Sequence, residues 1–357
     1  MSETPAIECL LRDLRTRRHW SQEEVSRRSG LSRAGVSAIE TGRLVPSTAA
    51  ALALASAFDC RVEDLFRLAG AVPEGGIAWA WPPRRLPCRY WLAEVGGRTW
   101  AYPVEVGPGG ETAHDGVAIE GHPLRPGAID PGKTLVVACC DPAVGLLAEA
   151  YTGLTGFRLL VLPRSSGRAL DLLGKGLVHV AGTHLATDEE PEANVGAARE
   201  HVARAISLVR LARWEEGLAL APGVAARSVG AALRARLSWV GREPGSGARR
   251  CLDQLRPGLP EPRRIARDHR GVAEAIRSGW AQAGVCIRLA SEEAGLDFLG
   301  VRSEHYDLCI LGRDEEAPRI RALIGVVRSG PFRSVITELP GYDTSGSGEI
   351  RRIDGPR

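Results

Sequence analysis

Four short runs of small polar residues carry most of the ligand chemistry available to this sequence. They are Cys139-Cys140-Asp141-Pro142, Pro163-Arg164-Ser165-Ser166-Gly167, Ala181-Gly182-Thr183-His184, and Arg242-Glu243-Pro244-Gly245-Ser246-Gly247-Ala248-Arg249. Each follows an apolar run, and three of them precede a helical pattern. Amides and dipole converge at a helix start and favour anions there. Ser165, Ser166, Thr183 and Ser246 add hydroxyls, and Gly167, Gly245 and Gly247 let bare backbone approach a ligand. Arg242 or Arg249 would add positive charge. The set suits a small oxyanion. Asp141 argues the other way, because a carboxylate facing a dianion repels it. It either caps its own helix or, facing the ligand, pairs with the amino-pyrimidine edge of a pterin. His184 and Tyr306 are further candidate donors that can equally be core residues.

Catalysis has little support in the sequence. There is no Gly-x-Ser-x-Gly elbow, no His-Glu-x-x-His pair, no phosphate-loop Gly-Lys-Ser/Thr and no dinucleotide Gly-x-Gly-x-x-Gly. Cys140 and His184 could form a thiol–imidazole pair, but no third orienting group is apparent. The eight cysteines include no CxxC and no paired zinc spacing. Most sit in apolar runs such as Val285-Cys286-Ile287, where a thiol is a small hydrophobe. Neither enzyme activity, a required cofactor nor a metal is expected.

The elements that must position these residues follow from periodicity. The 357 residues, 44% hydrophobic and 25% charged with net charge +3, suit two or three globular domains. From residue 128 onward, strand and helix patterns alternate. Strands are expected at Thr134–Cys139, Phe157–Leu162, Leu177–Ala181, Leu237–Val240, Ala283–Ile287, Leu296–Val301 and Tyr306–Leu311. Helices are expected at Pro142–Gly153, Gly167–Leu173, Ser246–Leu255, Arg270–Trp280 and Pro318–Arg328. This alternation implies an α/β domain with mainly parallel sheets, which binds ligands beyond the carboxyl ends of its strands. Residues 71–127 read as a small β-rich connector. Val95-Gly96-Gly97-Arg98 is a hairpin turn, and Trp79, Trp81, Trp91 and Trp100 would fill the core of a small sheet.

Residues 1–70 follow a different, all-α pattern. Ile7, Leu10, Leu11 and Leu14 make one helical stripe. Ser21 and Glu24 form a capping box, Gly30 allows a tight turn, and Ser32 caps a helix carrying Val36 and Ile39 inward. Ser47 or Thr48 opens a fourth helix, and Val62-Glu-Asp-Leu-Phe-Arg supplies a fifth. Eight Arg face four acids between Leu10 and Val45. The run Trp20-Ser-Gln-Glu-Glu-Val-Ser-Arg-Arg-Ser-Gly-Leu-Ser, continued by Val36-Ser-Ala-Ile-Glu-Thr-Gly-Arg43, resembles the Xre/Cro helix-turn-helix domain. The resemblance implies that Gln22 contacts a phosphate and that the helix from Ser32 enters the major groove. Arg33, Ala34 and Ser37 would then meet base edges, and Arg43 the backbone. Gly35 inside that helix and Ser26 in place of the usual Ala depart from the family pattern.

The C-terminal part resembles the type II periplasmic-binding-protein fold, and more narrowly its cytoplasmic version assigned to molybdate metabolism. The carrying residues are Cys140-Asp-Pro-Ala, Gly182-Thr-His-Leu, Trp214-Glu-Glu-Gly-Leu, Arg242 to Arg249, and Tyr306-Asp-Leu. The resemblance implies two lobes hinged near Leu208–Leu220 and closing on molybdate, tungstate or a molybdopterin-type compound. The expected protein is therefore multidomain: helix-turn-helix domain 1–70, connector 71–127 and two-lobed α/β sensor 128–357. It is expected to act in the cytoplasm as a homodimer on a double-stranded operator, with no membrane segment. The alternative is a cytoplasmic ligand carrier or storage protein whose DNA contacts are secondary.

Overall fold

Three serine caps and one glycine turn shape the N-terminal unit. The computed structural model describes residues 7–18, 20–60, 62–68, 76–105, 112–258 and 260–355. The chain divides into units Met1–Ala78 and Trp79–Arg357, and the expected 70/71 boundary lies outside the described residues. In the first unit, β1 (Ile7–Cys9) precedes α1 (Leu11–Arg17), α2 (Gln22–Ser29), α3 (Arg33–Glu40), α4 (Thr48–Phe58), α5 (Val62–Leu65) and β2 (Phe66–Leu68). Ser21, Ser32 and Ser47 each accept the amide three residues on. Gly30 ends α2 at φ 73°, the left-handed conformation that suits glycine. Leu11, Val25, Val36, Ile39, Leu54 and Phe58 form the core.

Several local expectations change here for physical reasons. Ile7 lies in a strand, because β1 pairs antiparallel with β2 and the two ends of the domain satisfy each other's amides. The fifth helix stops at Leu65 for the same reason. Only half of the capping box forms. Glu24 donates its amide to Ser21, but its carboxylate is held by Arg27 and Arg28, both at 2.6 Å. The two family departures have local causes. Ser26 donates its hydroxyl to the Leu31 carbonyl across the turn, and a Cβ on Gly35 would lie 3.1 Å from the capping Ser32 oxygen.

The second unit opens with a small sheet: β3 (Ala78–Trp79), β4 (Cys88–Val95), β5 (Arg98–Pro103) and β6 (Gly116–Ala118). The β4–β5 hairpin turns at Gly96 and Gly97, both at positive φ. Its aromatic rings do fill a core: Trp81 packs edge-on against Tyr102, and Trp79 against Tyr90. That core also contains Val136, Leu160, Leu170 and Val195 from beyond residue 128. Arg158 fastens the small sheet in place through a two-pronged pair with Asp115 and a bond to the Leu92 carbonyl.

Next come β7 (Thr134–Cys139), α6 (Val144–Thr155), β8 (Arg158–Pro163), α7 (Ser166–Gly174), β9 (Val180–Thr187), α8 (Ala193–His201) and the long β10 (Ile206–Leu220). They lead to α9 (Val229–Arg234), β11 (Trp239–Arg242), α10 (Gly247–Leu255), β12 (Arg264–Ala266), α11 (His269–Arg277), β13 (Ala283–Ile287), α12 (Arg288–Glu293) and the equally long β14 (Asp297–Leu311). The chain closes with α13 (Pro318–Arg328), α14 (Gly330–Thr337), β15 (Tyr342–Asp343) and β16 (Ile350–Ile353). One curled sheet runs in the order β12-β11-β13-β10-β14-β9-β7-β8. Its flanks are parallel, as βα alternation requires, but β10 and β14 pair antiparallel with each other and with their neighbours β13 and β9. The sheet is therefore mixed. The strands expected at Leu296–Val301 and Tyr306–Leu311 are one continuous strand. Its polar middle, Arg302 to His305, hid the continuity.

His179 joins the small sheet to the large one. Its Nδ1 accepts from the Val136 amide and its Nε2 donates to the Glu94 carbonyl. Burial, reinforced by the Arg319 charge, holds its pKa down at about 3 against an ordinary 6.5. The unfolded chain therefore takes up a proton below about pH 6.5 that the folded protein refuses until about pH 3. Stability falls as pH drops through that window, by up to about 1.4 kcal/mol per pH unit from this group. Urea denaturation of His179→Gln should show a shallower loss of stability between pH 6.5 and 4 than the wild type. Parallel pH dependences would contradict the assignment.

Candidate functional site

The predicted loops meet where the two halves of the sheet face each other across β10 and β14. Cys140 follows β7, Ser165 to Gly167 open α7, His184 lies in β9, and Arg242 to Gly247 join β11 to α10. One lobe carries the first three, and the other carries the β11–α10 loop. The lobes are closed. The Gly167 amide donates to the Gly245 carbonyl at 3.2 Å, Arg168 pairs with Glu243 at 3.1 Å, and Arg250 pairs with Glu190. A Cβ on Gly247 would lie 2.7 Å from the His184 ring, so glycine there permits this approach.

Trp214, from β10, is the centre of the site. Its indole stacks on Tyr306 at 4.5 Å and meets His184, Tyr342 and His269 edge-on at 4.9, 5.7 and 6.0 Å. The indole N–H donates to Glu304, its cross-strand partner on β14. Glu304 also accepts from Arg302 at 2.8 Å and faces His184 Nδ1 at 2.7 Å. With two donors already on Glu304, its oxygens act as acceptors. His184 Nδ1 is therefore the donor, and Nε2 presents its lone pair to the Cys140 sulfur at 3.1 Å. Arg302 bridges Glu304 and Glu216. Burial, then the charge of Glu304, pushes Glu216 up to about 8.

Around this box, several buried polar atoms have no partner among the described residues. All three nitrogens of Arg242 are unpaired although the residue is 1% exposed. Both ring nitrogens of the fully buried His269, the Ser165 hydroxyl and the Tyr306 hydroxyl are also unpaired. Ser165 is the N-cap residue of α7 yet makes no capping bond, so its hydroxyl is free for something else. Burial, then the Arg242 charge, lowers the His269 pKa well below its usual value and keeps the ring neutral.

Other sequence candidates are engaged elsewhere. Ser246 donates to the Glu243 carbonyl and caps Arg249, while the Arg249 side chain pairs with Asp253 and Glu261. The Thr183 hydroxyl donates to Asn194, and Ser166 lies 3.4 Å from the His184 amide. One oxygen of Asp141 accepts both the Ala143 amide and the Tyr342 hydroxyl. This is a local turn just before α6, whose N-cap residue is Ala143, so Asp141 does not itself cap the helix. Burial raises its pKa, and these two bonds pull it back down.

Glu304, His269 and Tyr342 were not found from the sequence as site residues. Glu304 is the third orienting group that the Cys140–His184 pair had lacked. His269 sits at a strand-to-helix junction like the others, but β12 is only three residues long and half exposed, too weak a pattern to reveal it. In the N-terminal unit, Arg33, Ala34 and Arg43 are exposed and Ser32 caps α3. Gln22 donates to Glu40 at 2.8 Å, which leaves it one amide hydrogen.

Comparison with known proteins agrees with this architecture. Residues 148–328 match the family model described as a PBP superfamily domain, and residues 11–65 match a helix-turn-helix model. The chain belongs to the PBP superfamily domain family. It joins an N-terminal helix-turn-helix domain to a two-lobed domain of that kind. It is 29% identical over 127 residues to the uncharacterised protein YvgK of Bacillus subtilis, spanning 33% of this chain and only 40% of that protein. It is also 41% identical over 58 residues to the HTH-type transcriptional regulator YgzD of the same organism, covering 16% of this chain and 88% of that one. Among solved structures it resembles a phosphate ABC transporter substrate-binding protein from Clostridium perfringens, with TM-score 0.48 and 10% identity, covering 58% of this chain and 99% of that one. The regulatory domain of the Neisseria meningitidis LysR-family regulator MetR gives TM-score 0.41 and 14% identity, covering 59% and 98%.

Glu304 accepts from Trp214, Arg302 and His184, so its removal leaves the buried Trp214 N–H unpaired and Arg302 with Glu216 as its remaining charged partner. Glu304→Ala should lower the free energy of unfolding by roughly 3–5 kcal/mol, the range for breaking a buried ionic network, as measured by urea denaturation. A loss below about 1 kcal/mol would show that the network contributes little.

Proposed function

We propose that this protein is a one-component transcription regulator whose two-lobed domain closes on a small oxyanion such as molybdate or tungstate. The observation that carries this reading is Arg242, a buried guanidinium with every nitrogen unpaired. An unpaired buried charge costs several kcal/mol, and an anion between the lobes would remove that cost. The Ser165 hydroxyl and the start of α7 stand ready as neutral donors. The large rings beside the closed cleft are in contact with one another at 4.5–6.0 Å between centroids, which favours a ligand of few atoms. The oxygen of Asp141 that a pterin would need is engaged by Tyr342 and Ala143, which weighs against a molybdopterin-type effector.

Binding that prefers the closed lobes can shift operator affinity only if the two DNA-binding states differ in closure. The helix-turn-helix would bind a double-stranded operator as a cytoplasmic homodimer, with α3 in the major groove. The test is fluorescence anisotropy on a DNA fragment selected for binding by the full chain, with and without molybdate. Molybdate should change operator affinity and raise the melting temperature, and sulfate and phosphate serve as comparison anions. Arg242→Met should abolish both responses, a loss of about 2–5 kcal/mol in anion binding, while leaving basal DNA binding intact. Arg33→Ala should weaken operator binding without affecting the anion-induced thermal shift. Anion binding with no selected operator would favour the carrier reading. An undiminished molybdate response in Arg242→Met would overturn the assignment of the site.

A further inference from the structure

We infer that Cys140, His184 and His269 form a binding site for a borderline divalent metal ion of the zinc class. The Cys140 sulfur, a His184 nitrogen and a His269 nitrogen all lie within 4.8 Å of one another, and all three residues are buried. An ion bound at about 2.3 Å from sulfur and about 2.0–2.1 Å from nitrogen fits among such donors with small side-chain adjustments. One thiolate with two imidazoles is a ligand set that selects zinc-like ions over magnesium or calcium.

Two further observations point to a ligand rather than to packing. The His269 ring is fully buried with both nitrogens unpaired, which is costly for an imidazole that binds nothing. The His184 ring is already oriented as a ligand. Its Nδ1 donates to Glu304 at 2.7 Å, which turns the Nε2 lone pair toward Cys140 at 3.1 Å. A carboxylate behind a histidine in this way fixes the tautomer and strengthens the metal bond. Trp214 and Arg302 hold Glu304 in turn.

The charges permit it. The Cys140 thiolate offsets one charge of a dication, Glu304 behind His184 adds negative charge that it shares with Arg302, and the Cys140 proton leaves to solvent on binding. Arg242 is no part of this donor set, and its positive charge opposes the ion. With three protein ligands, a fourth position is left for water or for a small ligand. The inference does not depend on the oxyanion reading. Metal uptake without any anion-linked change in DNA binding would leave this site standing and remove that reading.

The test uses the full-length protein, stripped with a chelator and titrated with Co2+. We expect uptake of one ion per chain, a thiolate-to-cobalt charge-transfer band, the intense visible bands of a four-coordinate ion, displacement by Zn2+, and a raised melting temperature. X-ray absorption on the zinc-loaded wild type should count one sulfur and two imidazole nitrogens, whether or not the variants fold. Cys140→Ser should lose the charge-transfer band, and Glu304→Gln, a positioning residue, should weaken the ion roughly 10–100-fold while retaining the spectrum. Cys60→Ser should leave both unchanged. Weak six-coordinate cobalt bands, a sulfur-free shell, or a charge-transfer band that survives in Cys140→Ser would overturn the site.

Discussion

The pairing of β10 with β14 is the constraint on which the rest of the ligand-binding unit depends. Each strand is fifteen residues long and passes from one lobe to the other, so the two lobes share a pair of backbones. Register then decides chemistry. Trp214 lies opposite Glu304, Glu216 opposite Arg302, and Ala212 opposite Tyr306. The tryptophan–carboxylate bond, the charge pair and the stacked rings are therefore consequences of strand alignment. A shift of one residue would turn each of these side chains to the opposite face. The register irregularities at Arg210/Ala212 and Glu216/Gly217 bracket this segment. At Gly217 a Cβ would lie 2.2 Å from the Leu299 carbonyl, so this position beside the second irregularity has no room for a side chain.

Around that pair, the site combines two kinds of polar group with different physical roles. Glu304, Arg302, one oxygen of Glu216 and Asp141 are engaged by one another or by nearby groups, and they hold the frame. The unpaired atoms of Arg242, His269 and Ser165 have no partner among the described residues although they are buried. A domain that closes without a ligand would be expected to bury groups of the first kind. Groups of the second kind belong to an interior that receives something from outside. The closed lobes and the small glycine contacts at Gly167, Gly245 and Gly247 place these unsatisfied groups together while keeping water from them.

The N-terminal unit works by simpler means. Its helices are short and would be marginal alone, so serine caps and a shared apolar core carry its stability. Arg15 and Gln22 both bond to the almost fully buried Glu40, tying the first two helices to the end of the third. The start of α3, with Arg33 and Ala34, stays exposed, and Arg33 lies 3.6 Å from the equally exposed Glu23.

Local patterns were enough to specify much of this protein. The Ser21, Ser32 and Ser47 caps, the Gly30 turn, the Gly96-Gly97 hairpin and the strand-to-helix junctions at Cys140, Ser165 and Gly245 could be read because each depends on residues a few positions apart. Helix and strand periods then implied an all-α head and an α/β body. Tertiary structure decided the antiparallel crossing strands, whose polar middles mimic loops until their partners bury them. It also decided which polar groups stay unpaired: Ser246 and Arg249 were as plausible as Ser165 and Arg242 until Glu243, Asp253 and Glu261 were seen to engage them. His184 and Glu304 are 120 residues apart in the chain. Their contact is set by sheet register, a long-range pairing to which no spacing between neighbouring residues corresponds.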